Sequence, residues 1–166
     1  MKQLFLKLKN RIKMKTLFQS VTSVLLSNGI RYSVNDEQNF IRLGISGRNG
    51  NWQVVIHIQE ETRRICFTSS CPIFTPDARQ TAMCELLNRI NDSIFMGKFS
   101  MDVEDGEIRY STSAAFPESY LGDETLSCMF HTNIITFDTY LPVLIAVIYR
   151  HNEPALAFLE VQEVEA

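Results

Sequence analysis

The sequence lacks the residue patterns that most enzymes and metal sites require. Its three histidines and four cysteines include no Cys-x-x-Cys spacing and no local histidine pair, which argues against a zinc knuckle. No catalytic constellation stands out along the chain. The residues alone therefore indicate no reaction, and we expect no catalytic residue, cofactor or metal ion.

Glycine and proline are also scarce, with 7 and 5 residues, as in an ordinary globular chain. A chain of 166 residues is expected to form one domain. Charge is placed unevenly, because residues 1–15 hold six basic side chains and no acidic one. The rest holds ten basic and nineteen acidic residues, a net charge of −9. We expect this acidic body to repel nucleic acid, which leaves only the basic segment for such binding.

Residues 1–15 are interpreted as a basic N-terminal arm, and residues 16–163 as a single domain. The leucines of the arm fit neither a helical nor a strand period well. The simpler interpretation is a solvated extension of the first helix. The alternative is a basic tether for an anionic membrane or nucleic acid. No signal peptide is predicted, because charges interrupt the apolar residues and no cleavage site follows.

The four cysteines are expected to be free thiols in a reducing cytoplasm, the predicted localisation of the protein. Their neighbours in sequence are apolar, and free cysteine is among the residues most often buried. We therefore expect buried thiols at Cys66, Cys71, Cys84 and Cys128.

Hydrophobic periodicity predicts the element order α-β-β-β-α-β-β-α, followed by a short C-terminal helix. A helical pattern at 16–27 precedes three alternating stretches, at 30–45, 51–59 and 64–69. Thr75 is the predicted N-cap of the second helix, with Pro76 at the first helical position. Five antiparallel strands with helices on one face give an α+β, two-layer sandwich.

Asp105-Gly106 predicts a β-hairpin with a two-residue type I′ turn. In that register Asp102 lies opposite Arg109, and Met101 lies opposite Tyr110. The acidic residues around the turn do not fit a calcium loop, because Gly106 has the wrong offset for an EF-hand.

A long helix at 122–150 is predicted to close the core. Its apolar stripe consists of Leu126, Phe130, Ile134, Phe137, Leu141, Ile145 and Ile148. Pro142 removes the N–H that would pair with the carbonyl of Asp138, so we expect a kink there. The Asp138 side chain is expected to cap the free end or to pair with an arginine. No membrane span is predicted, because the first half of the helix is too polar.

Glu124, Cys128 and His131 are the best candidates for chemistry, because spacings of four and three place them on one helix face. A thiol beside an imidazole and a carboxylate suits a nucleophile or a metal site. We favour instead a buried cysteine beside a surface histidine, because a catalytic pair needs an oxyanion donor and zinc needs further ligands. His57 is likewise predicted to be a surface residue of a strand.

Three motifs occur in order along the chain. They are Pro72-x-x-x-Pro76 before a helix containing residues 85–91, residues 97–110 around Asp105-Gly106, and Asp138-x-Tyr140-x-Pro142-x-Leu144. This order resembles the YbjN-type domain family, a group labelled as bacterial sensory transduction regulators. The resemblance covers residues 16–161 and departs at Arg150-His151, where such domains more often have glycines.

The resemblance implies a fold similar to that of type III secretion chaperones, without enzymatic activity and often as a homodimer. It transfers no catalytic or ligand residues. We therefore expect a cytoplasmic protein-binding module, regulatory or chaperone-like, whose contact surface is the sheet or the second helix. The alternatives are a small enzyme or metal site at Glu124, Cys128 and His131, and a membrane- or nucleic-acid-associated regulator that uses the basic arm.

Overall fold

The computed structural model describes residues 16–35, 40–116, 122–150 and 152–165. Its helices are α1 (Leu17–Ser27), α2 (Asp77–Ser93), α3 (Asp123–Tyr149) and α4 (Pro154–Glu165). Its strands are β1 (Ser33–Asn35), β2 (Phe40–Ser46), β3 (Asn51–Gln59), β4 (Arg64–Ser70), β5 (Lys98–Met101) and β6 (Ile108–Ala115). The predicted basic arm lies outside the described residues.

The strands form one open sheet in the order β1-β2-β3-β4-β6-β5, and every neighbouring pair is antiparallel. The predicted α+β class is confirmed, but the described sheet has six strands rather than five. The sequence predicts one strand over 30–45, interrupted by a turn or a bulge at residues 36–39, which lie outside the described residues. Instead the chain reverses, because Asn35 pairs directly with Phe40. Side chains alternate with period two both in one long strand and in two paired strands. The alternation alone therefore does not distinguish one strand from two.

One face of the sheet packs against the helices. Buried and exposed residues alternate along β3, with Trp52, Val54, Ile56 and Ile58 buried as predicted. Buried side chains from α1, α2 and α3 complete a single apolar core with them. The opposite face of the sheet therefore carries the alternate, largely polar side chains.

The N-terminus of α1 is tied to the turn between β3 and β4. Thr16 accepts the N–H of Gln19 at 3.1 Å, and the Gln19 side chain accepts the N–H of Thr16, which makes a capping box. The carboxylate of Glu60 accepts the N–H groups of Leu17 and Phe18 at 3.1 and 2.8 Å. A carboxylate at a helix N-terminus is stabilised by the helix dipole as well as by these bonds.

The start of α2 corrects one prediction. Pro76 is the N-cap residue and α2 begins at Asp77. Thr75 is buried, and its hydroxyl has no hydrogen-bond partner among the described residues. The Thr75 backbone N–H instead donates to the carbonyl of Gly106 at 2.9 Å. Thr75 thus joins the β5–β6 loop to α2 rather than capping the helix.

The β5–β6 hairpin corrects a second prediction. Met101 pairs with Ile108 rather than with Tyr110, so the register differs by two residues and the loop is longer than a type I′ turn. Gly106 adopts a positive φ of 78°, and a Cβ atom there would lie 2.1 Å from the carbonyl oxygen of Thr75. Packing against Thr75 therefore determines the loop. A shift of two residues preserves the face of each side chain, so Phe99 points inward as predicted.

α3 lies across the inner face of the sheet, and Asn133 joins the two. Asn133 is fully buried and accepts the hydroxyl of Ser69 at 2.7 Å, while Ser69 accepts the indole N–H of Trp52 at 3.0 Å. The Asn133 amide nitrogen donates to the carbonyls of Phe67 and Tyr110 at 3.1 and 3.3 Å. A buried amide costs free energy unless it is hydrogen-bonded, so α3 is stable in this position and not in shifted ones.

Pro142 lies within α3 and leaves the carbonyl of Asp138 without an intrahelical donor. The side-chain amide of Asn49 donates to that carbonyl at 3.0 Å. The Asp138 carboxylate accepts the backbone N–H groups of Arg48 and Asn49, each at 2.9 Å. A Cβ atom at Gly47 would lie 2.4 Å from this carboxylate, so the β2–β3 turn packs tightly on the helix. Asp138 thus caps the β2–β3 turn. From the sequence, two other roles are expected for its side chain, a cap of the free helix end or a pair with an arginine.

α3 is long and apolar enough to cross a membrane by length and composition, with a mean hydropathy of 1.4 over an 18-residue window. Half of that window is buried within the fold. A core helix meets the same criterion. In the part of the chain that the structure describes, α3 covers the sheet.

The two edges of the sheet differ. At β5, the side chain of Asn91 donates to the carbonyl of Phe99 at 2.9 Å and accepts its N–H at 2.7 Å. The side chain thereby occupies both backbone groups of Phe99. At the other edge, the residues of β1 are exposed.

The first prediction concerns the buried network. We expect Asn133→Ala to lower the free energy of unfolding by about 2 kcal/mol, because the Ser69 hydroxyl loses its acceptor in the core. Urea unfolding followed by circular dichroism measures this. Ile135→Ala, at an exposed site on the same helix, is the control and should change stability by less than about 0.5 kcal/mol. Equal effects from the two variants would contradict a role for the network.

The second prediction concerns the bond between Asn49 and Asp138. We expect Asn49→Ala to cost about 1 kcal/mol in the natural sequence. In a Pro142→Ala background it should cost less, because an N–H at position 142 can donate to the freed carbonyl. A double-mutant cycle of unfolding free energies should give a coupling of at least about 0.5 kcal/mol. Strict additivity would argue against the bond, and Arg48→Ala serves as the neighbouring control.

Candidate functional site

The three residues considered for catalysis lie on the exposed side of the first half of α3. Glu124, Cys128 and His131 are all exposed. Nδ1 of His131 lies 2.8 Å from the carbonyl oxygen of Ser127, a contact in which the ring must donate. The imidazole is thus held by its own helix rather than by Cys128.

Metal-ligand geometry gives the same result within the described residues. No group of three or more His, Cys, Asp or Glu side chains there is arranged to hold a metal ion. Glu124, Cys128 and His131 share a face, as their spacing predicts, but they do not make such a group.

The burial of the four cysteine thiols differs from the prediction. Cys71 is buried, and burial is the main cause that raises the pKa of its thiol, with the negative charge of Glu107 adding to it. Cys66 is half-buried, whereas Cys84 and Cys128 are exposed. The prediction of four buried thiols is therefore wrong at Cys84 and Cys128, because apolar neighbours in sequence do not fix which side of a helix a residue occupies.

The largest functional candidate is the side of the sheet that the helices leave uncovered. We call this side of β2–β6 the open face. Its residues form rows across the strands. These are Phe40, His57, Cys66 and Ser113; Arg42, Val55, Thr68, Ser111 and Lys98; and Gly44, Gln53, Ser70, Arg109 and Ser100.

The centre of the open face is formed by small side chains. Val55, Thr68 and Ser111 are half-buried neighbours in one row, and the hydroxyls of Thr68 and Ser111 lie 3.1 Å apart. Open depressions lie on either side, one around His57, Arg64 and Cys66 and one around Arg42, Gln53 and Ser70. Small central residues allow another polypeptide to approach the sheet backbone closely.

One corner of the open face is aromatic. Phe40 is buried, although it lies on this side of the sheet, and its ring packs 5.7 Å from the imidazole of His57. The guanidinium of Arg42 lies over the same ring, 4.7 Å from its centroid. His57 is exposed, as predicted, and serves as a cross-strand partner of Phe40.

A second surface lies between the end of α2 and α3. Phe95 is fully exposed, and Met96 and Ile135 are exposed beside it. Exposed apolar side chains in one place mark sites of protein contact more often than isolated ones do. This depression is smaller than the open face and has no strongly charged lining residue.

The predicted second helix is only partly available as a contact surface. α4 packs along α2 and α3. Arg79 of α2 donates to the carbonyls of Val147 and Asn152, at 2.9 and 3.2 Å, and so joins α2 to the segment between α3 and α4. Exposed positions such as Asn88 remain on its outer side.

The sequence contains part of the signal for the open face. Strict alternation in β3 identifies the outward residues once the inward ones are assigned. It does not indicate which outward residues of different strands share a row, because that depends on the register of pairs such as β4 and β6, which are not consecutive in the chain.

Comparison with solved structures agrees with the fold. The chain is similar to the crystal structure of YbjN from E. coli, described as a putative transcription regulator, with 14% identity and a TM-score of 0.60. The match covers 80% of this chain and 93% of that one. No curated protein matches the sequence significantly.

Two complexes show a weaker similarity. The ExsC–ExsE complex matches with 14% identity and a TM-score of 0.49, over 75% of this chain and 90% of that one. The HopA1–SchA chaperone–effector complex matches with 13% identity and a TM-score of 0.44, over 71% and 86%.

The sequence profile of one family confirms the resemblance carried by the three motifs. It matches residues 18–146, which include the strands, α1, α2 and most of α3. The chain therefore belongs to the YbjN family, described as "putative bacterial sensory transduction regulator".

Proposed function

We propose that this protein is a non-enzymatic, cytoplasmic protein-binding module, regulatory or chaperone-like, whose contact surface is the open face. The observation that carries the proposal is that, in the described part of the chain, a whole side of the sheet is left without helices. Its centre of small, half-buried side chains, Val55, Thr68 and Ser111, offers room for a second polypeptide. Membership of a family of regulators supports the same role.

The side chains of the open face support the proposal because most of them can form hydrogen bonds with a partner. Cys66 and His57 lie on neighbouring strands of the open face, but they have no carboxylate in their row. Hydrogen-bonding hydroxyls and amides dominate instead. Such groups suit recognition of a polypeptide, whose backbone supplies matching donors and acceptors.

A cytoplasmic location forms part of the proposal. Exposed thiols at Cys84 and Cys128 persist unpaired in a reducing compartment. Homodimer formation is also included, because the family resemblance implies it.

The third prediction locates the contact in living cells of the native host. A photo-reactive benzoylphenylalanine at Gln53, which is exposed on the open face, should give a discrete cross-linked adduct with another protein. The same group at Asn88 on α2 should give none.

Each alternative result has a defined meaning. If only the group at Asn88 gives adducts, the contact surface is α2. If only the same group placed at Phe95 gives adducts, the contact surface is the apolar depression between the end of α2 and α3. No adduct from any position, in any growth condition, would contradict a protein-binding role.

The fourth prediction concerns self-association. Light scattering during gel filtration should give about twice the chain mass of 19.1 kDa. A mass equal to one chain would remove the homodimer from the proposal and leave partner binding to the cross-linking test.

A further inference from the structure

The open face has a charge opposite to that of the protein body. Its basic side chains are Arg42, Arg64, Lys98 and Arg109, and none of the outward residues of β2–β6 is Asp or Glu. The chain after residue 15 carries nine more acidic than basic residues. Four of the ten basic residues after residue 15 therefore lie on this side of the sheet, where the outward strand residues include no acidic one.

Three of these cations are available to a partner. Arg42, Arg64 and Lys98 are exposed, and none forms an ion pair with another described residue. Arg42 is held over the Phe40 ring, which orients its guanidinium without neutralising it. An arginine that is already positioned loses less conformational freedom when it binds a carboxylate.

Arg109 differs from these three. Its guanidinium bonds to the carboxylate of Glu107 and lies 3.8 Å from that of Asp102. The bond to Glu107 is the main cause that raises the pKa of Arg109. Arg109 is thus already paired at the edge of the open face and contributes little attraction to a further anion.

The spacing of the free cations fits a segment of limited length. Arg42 and Lys98 lie at opposite ends of one row, separated by Val55, Thr68 and Ser111. Four strand spacings separate them, or about 19 Å at about 4.8 Å each. An extended chain of about six residues spans that distance.

Acidic loops lie at both ends of the strands. Glu60 and Glu61 follow β3 at one end, and the segment 102–107 precedes β6 at the other. A long polyanion along the strands would meet these carboxylates and be repelled. A short acidic segment along the row from Arg42 to Lys98 lies between these loops, so a peptide fits better than a nucleic acid.

We propose that the open face binds a short acidic segment of a partner protein, laid across the strands, with carboxylates at Arg42 and Lys98. This inference rests on the proposed function and specifies the chemistry of the partner. The small central residues allow the backbone of the segment to lie close to the sheet, and the cations supply selectivity for acidic side chains.

The fifth prediction tests this inference with the full chain. The probe is a fluorescent twelve-residue peptide in which Glu alternates with Ser and Thr, followed by anisotropy at low salt. Replacing every Glu by Gln, or raising the salt, should abolish most of the binding. The double variant Arg42→Gln, Lys98→Gln should bind the Glu peptide about fivefold more weakly, since exposed ion pairs contribute modestly one by one.

The control removes the same charge elsewhere. Arg48→Gln, Arg150→Gln changes two exposed arginines that are not on the open face, and its affinity should fall by less than about twofold. Equal loss in the two double variants would overturn the inference, as would equal affinity for the Glu and Gln peptides. Tighter binding of a twelve-nucleotide single strand than of the Glu peptide would overturn it in favour of nucleic acid.

Failure of this inference is distinguishable from failure of the proposed function. If cross-links from Gln53 survive in the double variant Arg42→Gln, Lys98→Gln, the partner binds the open face without these cations. The proposed function then stands and the acidic segment is rejected.

Discussion

The hydrogen bonds of Asn133 fix where α3 lies on the sheet, and most of the fold depends on that position. A long apolar helix can slide along an apolar sheet at little cost, because hydrophobic contact is not directional. Asn133 removes this freedom, since its amide is satisfied only beside Ser69 and the carbonyl of Phe67. With α3 fixed there, Asp138 meets the β2–β3 turn, and α4 has a surface on which to pack.

Local patterns predicted the elements whose residues bury one face, such as β3 and α3. Contacts between residues far apart in sequence determine the β5–β6 register and the roles of Thr75 and Asp138. The β5–β6 register depends on Gly106 packing against Thr75, two residues far apart in sequence, so turn propensity alone selected the wrong loop. The same contact displaced Thr75 from the predicted cap. At Asp138, sequence reasoning identified the freed carbonyl correctly, but the donor, Asn49, lies 89 residues away.

The candidate site was predictable in type but not in composition. Alternation along β3 and β4 shows which side chains point away from the core, and a sheet contact surface follows from the family resemblance. The grouping of Arg42 with Lys98 in one row follows only from four strand pairings. The net charge of the chain did not indicate this arrangement, because an acidic total does not show that the outward strand residues of one face include no Asp or Glu. Conversely, the helical spacing of Cys128 and His131 suggested chemistry that their exposure on α3 does not favour.

The difference between the two edges of the sheet limits how copies of the protein can pair through their strands. Asn91 occupies the backbone groups of Phe99, so a strand cannot readily be added beside β5. At the opposite edge, the residues of β1 are exposed. A sheet that can extend at one edge only can join to one further sheet, and two copies joined in this way leave no extendable edge. Any growth through strand pairing therefore ends at a closed pair rather than continuing as a filament.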